Sequence, residues 1–435
     1  MSSLLYALCA RLFPILAKVG VGTNLGLLQI LFALVSGRFL ANRGALVPAL
    51  ADCGLSDEAV RRSVQALAYG RWNVQGLIDA WHKVVLAERR WQPHRYGGLR
   101  PVAVDLVGFF RARLQGTVGK HYTSRADKAL PALVFGMVAA VGSVGKKRLP
   151  LLRLLVRQRP NETERALQDR VLRETLGTLA QDEVILVDAG FGIEELLKHP
   201  QAAFVARQDQ NVTARRNRLP TSKGKGRPAA YGEIVRPLPR TYRGKTIAAT
   251  RPDTVVRWKA GRHTIRAHVF LNLVSSTSRP AAATFQIVVI FDPRYTRPLV
   301  VATNRALSAF DLWCLYRDRW PIEQMPLAAK QMLGCERAFV FGEESRWRLP
   351  ELAMLSGNLL AYVAACRPAV SSGFWDRSAQ PTCGRVRRSL SRLSFSDLPL
   401  PVGAFRKKAS PTAHLPKGVR AHRRQKRPTC VLGTP

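Results

Sequence analysis

The chain has 435 residues, 47% of them hydrophobic, and carries 68 Lys and Arg against 29 Asp and Glu, a formal net charge of +39. That length suffices for a sizeable core and two to three domains, and the charge selects a polyanion as partner, nucleic acid first. The basic residues are spread over the whole chain and belong to no single amphipathic helix, which argues against a membrane surface.

The first apolar run, LLYALCARLFPILAKVGVG, is interrupted by Arg11, Pro14 and Lys18 and lacks a basic leader, so it reads as a poor signal peptide. NLGLLQILFALVSG is too short to span a bilayer and reads as a buried helix opened by Asn24 and stopped at Gly37. Residues 1–95 together read as a helical N-terminal domain. Within it a helix, a Gly-containing turn at 53–55 and a second helix capped by Ser56 make a helix-turn-helix candidate. Arg61 and Arg62 on the second helix serve either plain packing or contact with a DNA end. The seven cysteines form no Cys-x-x-Cys pair, which argues for a reducing, cytoplasmic setting and against a disulfide or zinc framework.

From residue 96 the texture changes. PVAVDLVGFF and ALPALVFGMVAAVGSV read as strands, ETERALQDRVLRETLGTLAQ as an amphipathic helix, and EVILVDAGFG as a buried strand ending in a Gly turn. This order predicts an α/β core over 96–200. Residues 201–295 read as a β-rich basic insertion, in which TVVRWKA, RAHVFLNLV and FQIVVIFD alternate with turns. GKGR at 224–227 lacks the residues of a phosphate-binding loop, so no nucleotide is expected. RPLVVAT returns to the core, Ser308 caps a following helix, and 296–368 form the second part of the core. Residues 369–435, rich in Ser, Pro, Arg and Lys, are expected to be a disordered basic tail.

Two carboxylates occupy costly positions: Asp105 within VAVDLVGFF and Asp188 at the end of VILVD. A buried carboxylate costs several kcal/mol unless it is paired or binds a metal. A helix N-terminus or an Arg nearby would satisfy either one, yet the C-terminal edge of such a sheet is also where ligands bind. A third carboxylate, Glu323, lies in YRDRWPIEQMPLAAKQMLG, residues 316–334. On a helix Tyr316, Arg319, Glu323 and Lys330 would share a sector of roughly 60°. Three hard oxygen ligands suit a pair of magnesium ions about 3.5 to 4 Å apart.

The spacing Tyr-x2-Arg-x3-Glu-x6-Lys, with Trp320 after the Arg and Leu333–Gly334 closing the block, resembles the Tyr-Arg-Glu-Lys signature of the DDE transposases of bacterial insertion sequences. Within them it is similar to the cut-and-paste group whose DNA ends pass through a hairpin. VDAGFG resembles the second-aspartate block of that family and AVDLVGFF, more loosely, the first. The resemblance covers about residues 35–365.

It implies an RNase H-like fold whose last catalytic helix follows a β-rich insertion. It also implies double-stranded DNA as partner, both transposon ends and target, handled by a homodimer on paired ends in a nucleoid-associated bacterial protein. Asp105, Asp188 and Glu323 would be catalytic and would hold two Mg2+, with Mn2+ able to substitute. Hydrolysis would free a 3′-OH that attacks the opposite strand and later the target. Tyr316 and Arg319 would hold phosphate near the cut, and Lys330 would make a further backbone contact. Trp258, in VVRWKAGRH, would receive a flipped base or, in the plainer reading, belong to the core.

Two departures stand out. Pro321 and Pro326 fall in the signature helix, where an interior Pro costs about 3 kcal/mol. Leu106 follows the first aspartate where a small polar residue is usual, which leaves Asp127 as an alternative ligand. His121 reads as a loop residue and Asp292 as a turn cap. Two other readings remain: a nuclease of the same fold without strand transfer, and a transposase-derived DNA-binding protein that no longer cuts.

Overall fold

The computed structural model describes residues 2–110, 119–221, 229–369, 371, 373–401 and 403–406. The three- and four-residue apolar spacing of the N-terminal region folds as helices α1 (Ser2–Leu16), α2 (Thr23–Val35), α3 (Arg38–Ala41), α4 (Leu46–Ala51), α5 (Asp57–Tyr69) and α6 (Val74–Ala87). Ser56 caps α5, its Oγ accepting from the Ala59 N–H at 3.4 Å, and Asn73 caps α6 by accepting from the Gly76 N–H at 2.7 Å. α2 is buried almost all round and packs on α5. Among the described residues no helix is long and apolar enough to cross a membrane.

The chain then alternates between strands and helices: β1 (Trp91–Pro93), β2 (Arg100–Phe110), β3 (Gly119–Thr123), β4 (Lys128–Val144), β5 (Lys147–Arg157), α7 (Glu164–Leu176), β6 (Glu183–Val187), α8 (Ile193–Leu197) and β7 (Ala203–Arg207). β8 (Ala214–Arg216), β9 (Ile234–Val235), β10 (Arg240–Tyr242), β11 (Lys245–Ile247), β12 (Thr254–Ala260), β13 (His263–Ser275), β14 (Phe285–Phe291) and β15 (Leu299–Thr303) follow. The last part holds α9 (Ala309–Arg319), α10 (Gln324–Leu327), α11 (Glu343–Ala365) and α12 (Cys383–Leu390).

The fold is mixed α/β around one large mixed sheet. β2 is central, with antiparallel β4 on one side and parallel β6 on the other. β5 continues antiparallel beyond β4, and β7 continues parallel beyond β6. β7 then meets β15, which leads antiparallel into β14, β13 and β12. The β-rich segment of 201–295 therefore extends the core sheet and shares its hydrogen-bond ladder. LPLLRLLVR, the heart of β5, has the apolar density of a core strand but was not among the strands read from sequence.

One sheet face packs beneath the N-terminal helices, α9 and α11; the other carries α7 and α8. Fully buried Asn358 on α11 staples the first layer: it accepts from Trp81 Nε1 at 2.8 Å and the Leu152 N–H at 3.2 Å, and donates to the Pro150 carbonyl at 2.6 Å. The described part of 369–406, where an unstructured tail was expected, includes α12 against α11 and buries Val386, Leu390, Phe395 and Leu398. Residues 407–435, and the GKGR segment at 224–227, lie outside the described residues.

Gly334, which closes the signature block, has φ +74°, and a Cβ there would stand 2.7 Å from the Leu40 backbone. Gly334→Ala is expected to cost about 1 to 3 kcal/mol; an unchanged urea midpoint would show the contact to be unimportant.

Candidate active site

β2 and β6 run in parallel register, Val102 opposite Ile185 and Ala103 opposite Leu186. Two residues further on, the same register sets Asp105 level with Asp188. β6 ends at Val187, so β2 loses its parallel neighbour where Asp105 stands and keeps only β4, with Met137 opposite Asp105. Asp105 Oδ1 accepts from the Leu106 N–H at 2.9 Å and Asp188 Oδ1 from the Ala189 N–H at 2.8 Å.

α9 crosses this edge. Ser308 starts it, its Oγ accepting from the Asp311 N–H at 3.0 Å. Asp318 fixes its rotation: fully buried, it accepts from Tyr96 Oη at 2.7 Å, lies 2.5 Å from His94 Nδ1 and pairs with Arg148 Nε at 3.1 Å. These partners come from the loop after β1 and from β5, and no spacing in the sequence announces them.

With α9 so held, Arg319 points at the strand ends and is 3% exposed. Its Nη1 lies 3.1 Å from Asp105 Oδ2, and its Nη2 lies 3.4 Å from Asp188 Oδ2 and 3.1 Å from Glu323 Oε1. The structure thus brings Asp105, Asp188 and Glu323 together from three distant segments, around one guanidinium. Tyr316 Oη donates to Asp188 Oδ1 at 3.4 Å, and Arg207 at the end of β7 pairs with that oxygen at 3.3 Å. Arg207 was missed from the sequence, where its only signal is its place at the end of the apolar run AFVA.

Burial pushes the Asp105 carboxyl up to about 6 although Arg319 pulls it down. Burial also works against the Arg319 charge, but Asp105, Tyr316, Asp188 and Glu323 together hold its pKa above the ordinary value. Its Nε is buried with no hydrogen-bond partner among the described residues. Among the described residues no group of three His, Cys, Asp or Glu stands ready to hold a metal ion. The three carboxylates are hard oxygen donors by chemistry, but in this structure all three are gathered on the Arg319 guanidinium, which stands between them.

The raised Asp105 value gives a pH prediction. A carboxyl whose folded pKa lies above its unfolded value stabilises the fold below the unfolded pKa and loses that contribution as pH rises through the folded one. Without metal, the stability difference between wild type and Asp105→Asn is expected to move about 2 to 3 kcal/mol in favour of the variant between pH 4 and pH 7. A pH-independent difference in urea titrations would remove the basis for it.

The two prolines are accommodated by changes of winding. α9 passes into a 3-10 turn (Trp320–Glu323), α10 and a π turn (Ala328–Met332), all in right-handed helical conformation. Pro321 occupies the first turn of the 3-10 segment, where a missing N–H is tolerated. Just beyond Pro326 the helix loosens, and the Leu333 N–H reaches back to the Ala328 carbonyl at 2.9 Å. Lys330 and Glu323 line one cavity of about 440 Å³, with Lys330 Nζ 5.3 Å from the Phe109 ring centroid. Burial lowers the Lys330 pKa.

The other sequence-derived residues lie elsewhere. Trp258 packs edge-on against Phe310 and Trp313 of α9, ring centroids 6.1 Å away in each case, which is the core role. Arg61 is exposed on α5, while Arg62 pairs with Glu58 at 3.4 Å. Asp127 sits in the β3–β4 turn and accepts from Tyr122 Oη at 2.7 Å, away from the carboxylate trio. His121 pairs with Glu164 at 3.3 Å, and Asp292 is held by Arg294. Beside Tyr316, a cavity of about 530 Å³ is bordered by Arg207, Arg294, Arg297, Arg317 and exposed Trp320.

No family model matches this chain, and no curated protein does.

Proposed function

We propose that this protein is a DDE-type DNA transposase that cleaves transposon ends and joins them to target DNA by a cut-and-paste route. The observation that carries the reading is the meeting of Asp105, Asp188 and Glu323 on Arg319 at the point where β6 ends. A central strand flanked by one antiparallel and one parallel neighbour, with the third acid arriving on a helix after a β-rich insertion, supports an RNase H-like core.

Asp105, Asp188 and Glu323 would hold two Mg2+, or Mn2+, which when bound supply Lewis-acid activation of the attacking and leaving oxygens of a phosphodiester. Arg319 must then leave the carboxylates, and its planar fork of donors suits a DNA phosphate. Tyr316 and Arg207 flank Asp188 and orient its free oxygen. Lys330 presents a cation in the cleft beyond Glu323, where a second stretch of backbone would lie. The partner is double-stranded DNA, with a dimer pairing two ends, in a nucleoid-associated protein.

The test is incubation of the full chain with Mg2+ and a plasmid carrying the inverted repeats that flank its reading frame. Hairpin-ended excised DNA supports the proposal. Nicking without joining would replace it with a nuclease of the same fold. One observation favours a further alternative, a DNA-binding descendant that no longer cuts: the guanidinium fills the carboxylate site. Retarded DNA with no cleavage at any Mg2+ or Mn2+ concentration would select that alternative.

A further inference from the structure

The β12–β13 hairpin carries a pattern that fold stability does not explain. Residues 251–268 include Arg251, Arg257, Lys259, Arg262 and Arg266 but one acid, Asp253, and that acid is tied to Arg216 at 2.6 Å. Arg257, Lys259, Arg262 and Arg266 are exposed. Among the described residues no acidic side chain forms an ion pair with any of the four.

The register sorts these side chains by face. Trp258 stands opposite Ile265 on the face that packs against α9. One residue away, on the opposite face, Arg257 stands directly opposite Arg266, and Lys259 opposite Thr264. Like charges directly opposite each other on an antiparallel pair are destabilising, so this arrangement costs folding free energy with no acid to offset it. Arg266 is propped in place: it is opposite Phe291 on β14, and its guanidinium lies 4.9 Å from that ring centroid. His268 packs on the same ring at 4.8 Å; burial and the Arg266 charge hold its pKa below the usual value, so it adds no cation here.

We infer that the outer face of this hairpin, Arg257, Lys259 and Arg266, is a second DNA-contact surface that tracks the phosphate backbone of a duplex. The inference rests on duplex DNA as partner, as proposed above, and is separable from cleavage. Arg257 and Lys259, two residues apart on one strand, stand about 6.8 Å apart, twice the 3.4 Å axial spacing of phosphates along one DNA strand. Trp258 on the reverse side fixes the hairpin to α9, so the cations are presented on a supported surface attached to the helix that leads to Glu323.

The test uses the full chain and a random-sequence duplex, with affinity read by fluorescence anisotropy between about 50 and 200 mM salt. The triple variant Arg257→Gln, Lys259→Gln, Arg266→Gln is expected to flatten the slope of log affinity against log salt by about 2 to 3, and Lys259→Gln alone by about 1. Melting temperatures should not fall, since removing facing like charges relieves repulsion. A wild-type slope in both variants with intact melting overturns the inference, as does loss of binding to anionic lipid vesicles with the DNA slope unchanged. Cleavage is scored separately: a cleaving enzyme with an unaltered slope removes this surface alone, whereas a flattened slope in a protein that never cleaves removes only the transposase reading.

Discussion

Glu323→Gln is expected to abolish magnesium-dependent cleavage of end DNA, by about 1,000-fold or more, while leaving DNA binding and folding nearly intact. Glu323 is exposed and, among the described residues, its side chain meets the site through Arg319, so an isosteric amide would remove the proposed metal ligand without opening a cavity in the core. If the three carboxylates hold two divalent cations as proposed, losing one of them would forfeit transition-state stabilisation of the order that single electrostatic groups supply in other active sites, about 3 to 4 kcal/mol or more. A single-turnover cleavage assay with anisotropy on the same DNA separates the two readouts. Cleavage at more than a tenth of the wild-type rate would remove Glu323 from the catalytic set and, with it, the proposed chemistry.

Arg319→Gln is expected to have the opposite signature, a large loss of metal-free stability that divalent cations repair. The buried guanidinium is the shared counter-ion of three partly exposed carboxylates, and deleting it leaves their charges unbalanced at a cost of about 1 to 3 kcal/mol. On the proposed reading Mg2+ would no longer compete with a tethered cation in the variant, and ligand bound only to the folded state adds about 2.7 kcal/mol at a hundred times its dissociation constant. Melting temperature against MgCl2 should therefore rise more steeply in Arg319→Gln than in wild type. Parallel curves for the two proteins would mean that Arg319 does not stand in the path of the metal.

The linear pattern made part of this site legible. Asp105 and Asp188 were visible because a carboxylate in an apolar run is costly, and Glu323 because of its spacing from Tyr316, Arg319 and Lys330. Other parts were not visible. Asp318 and its partners His94, Tyr96 and Arg148 come from three segments whose spacing carries no periodic signal. Trp258 was open to a flipped-base role or a core role, and alternation along β12 decides for the core by turning it inward toward Phe310 and Trp313 while its neighbours Arg257 and Lys259 face out. The tail composition suggested disorder, yet a few apolar residues, Val386, Leu390, Phe395 and Leu398, suffice to seat 383–398 on the helical layer.

By itself the sequence determined the alternation of helices and strands, the strongly basic character of the surface, the positions of two costly acids and the spacing that marks a third, because periodicity, charge and burial penalty are local properties of the chain. Only the tertiary structure decided that those acids meet on one arginine, that the β-rich segment extends the core sheet, and which face of each strand carries its cations. These are matters of register and helix rotation, fixed by contacts between residues more than two hundred positions apart, to which local composition is blind.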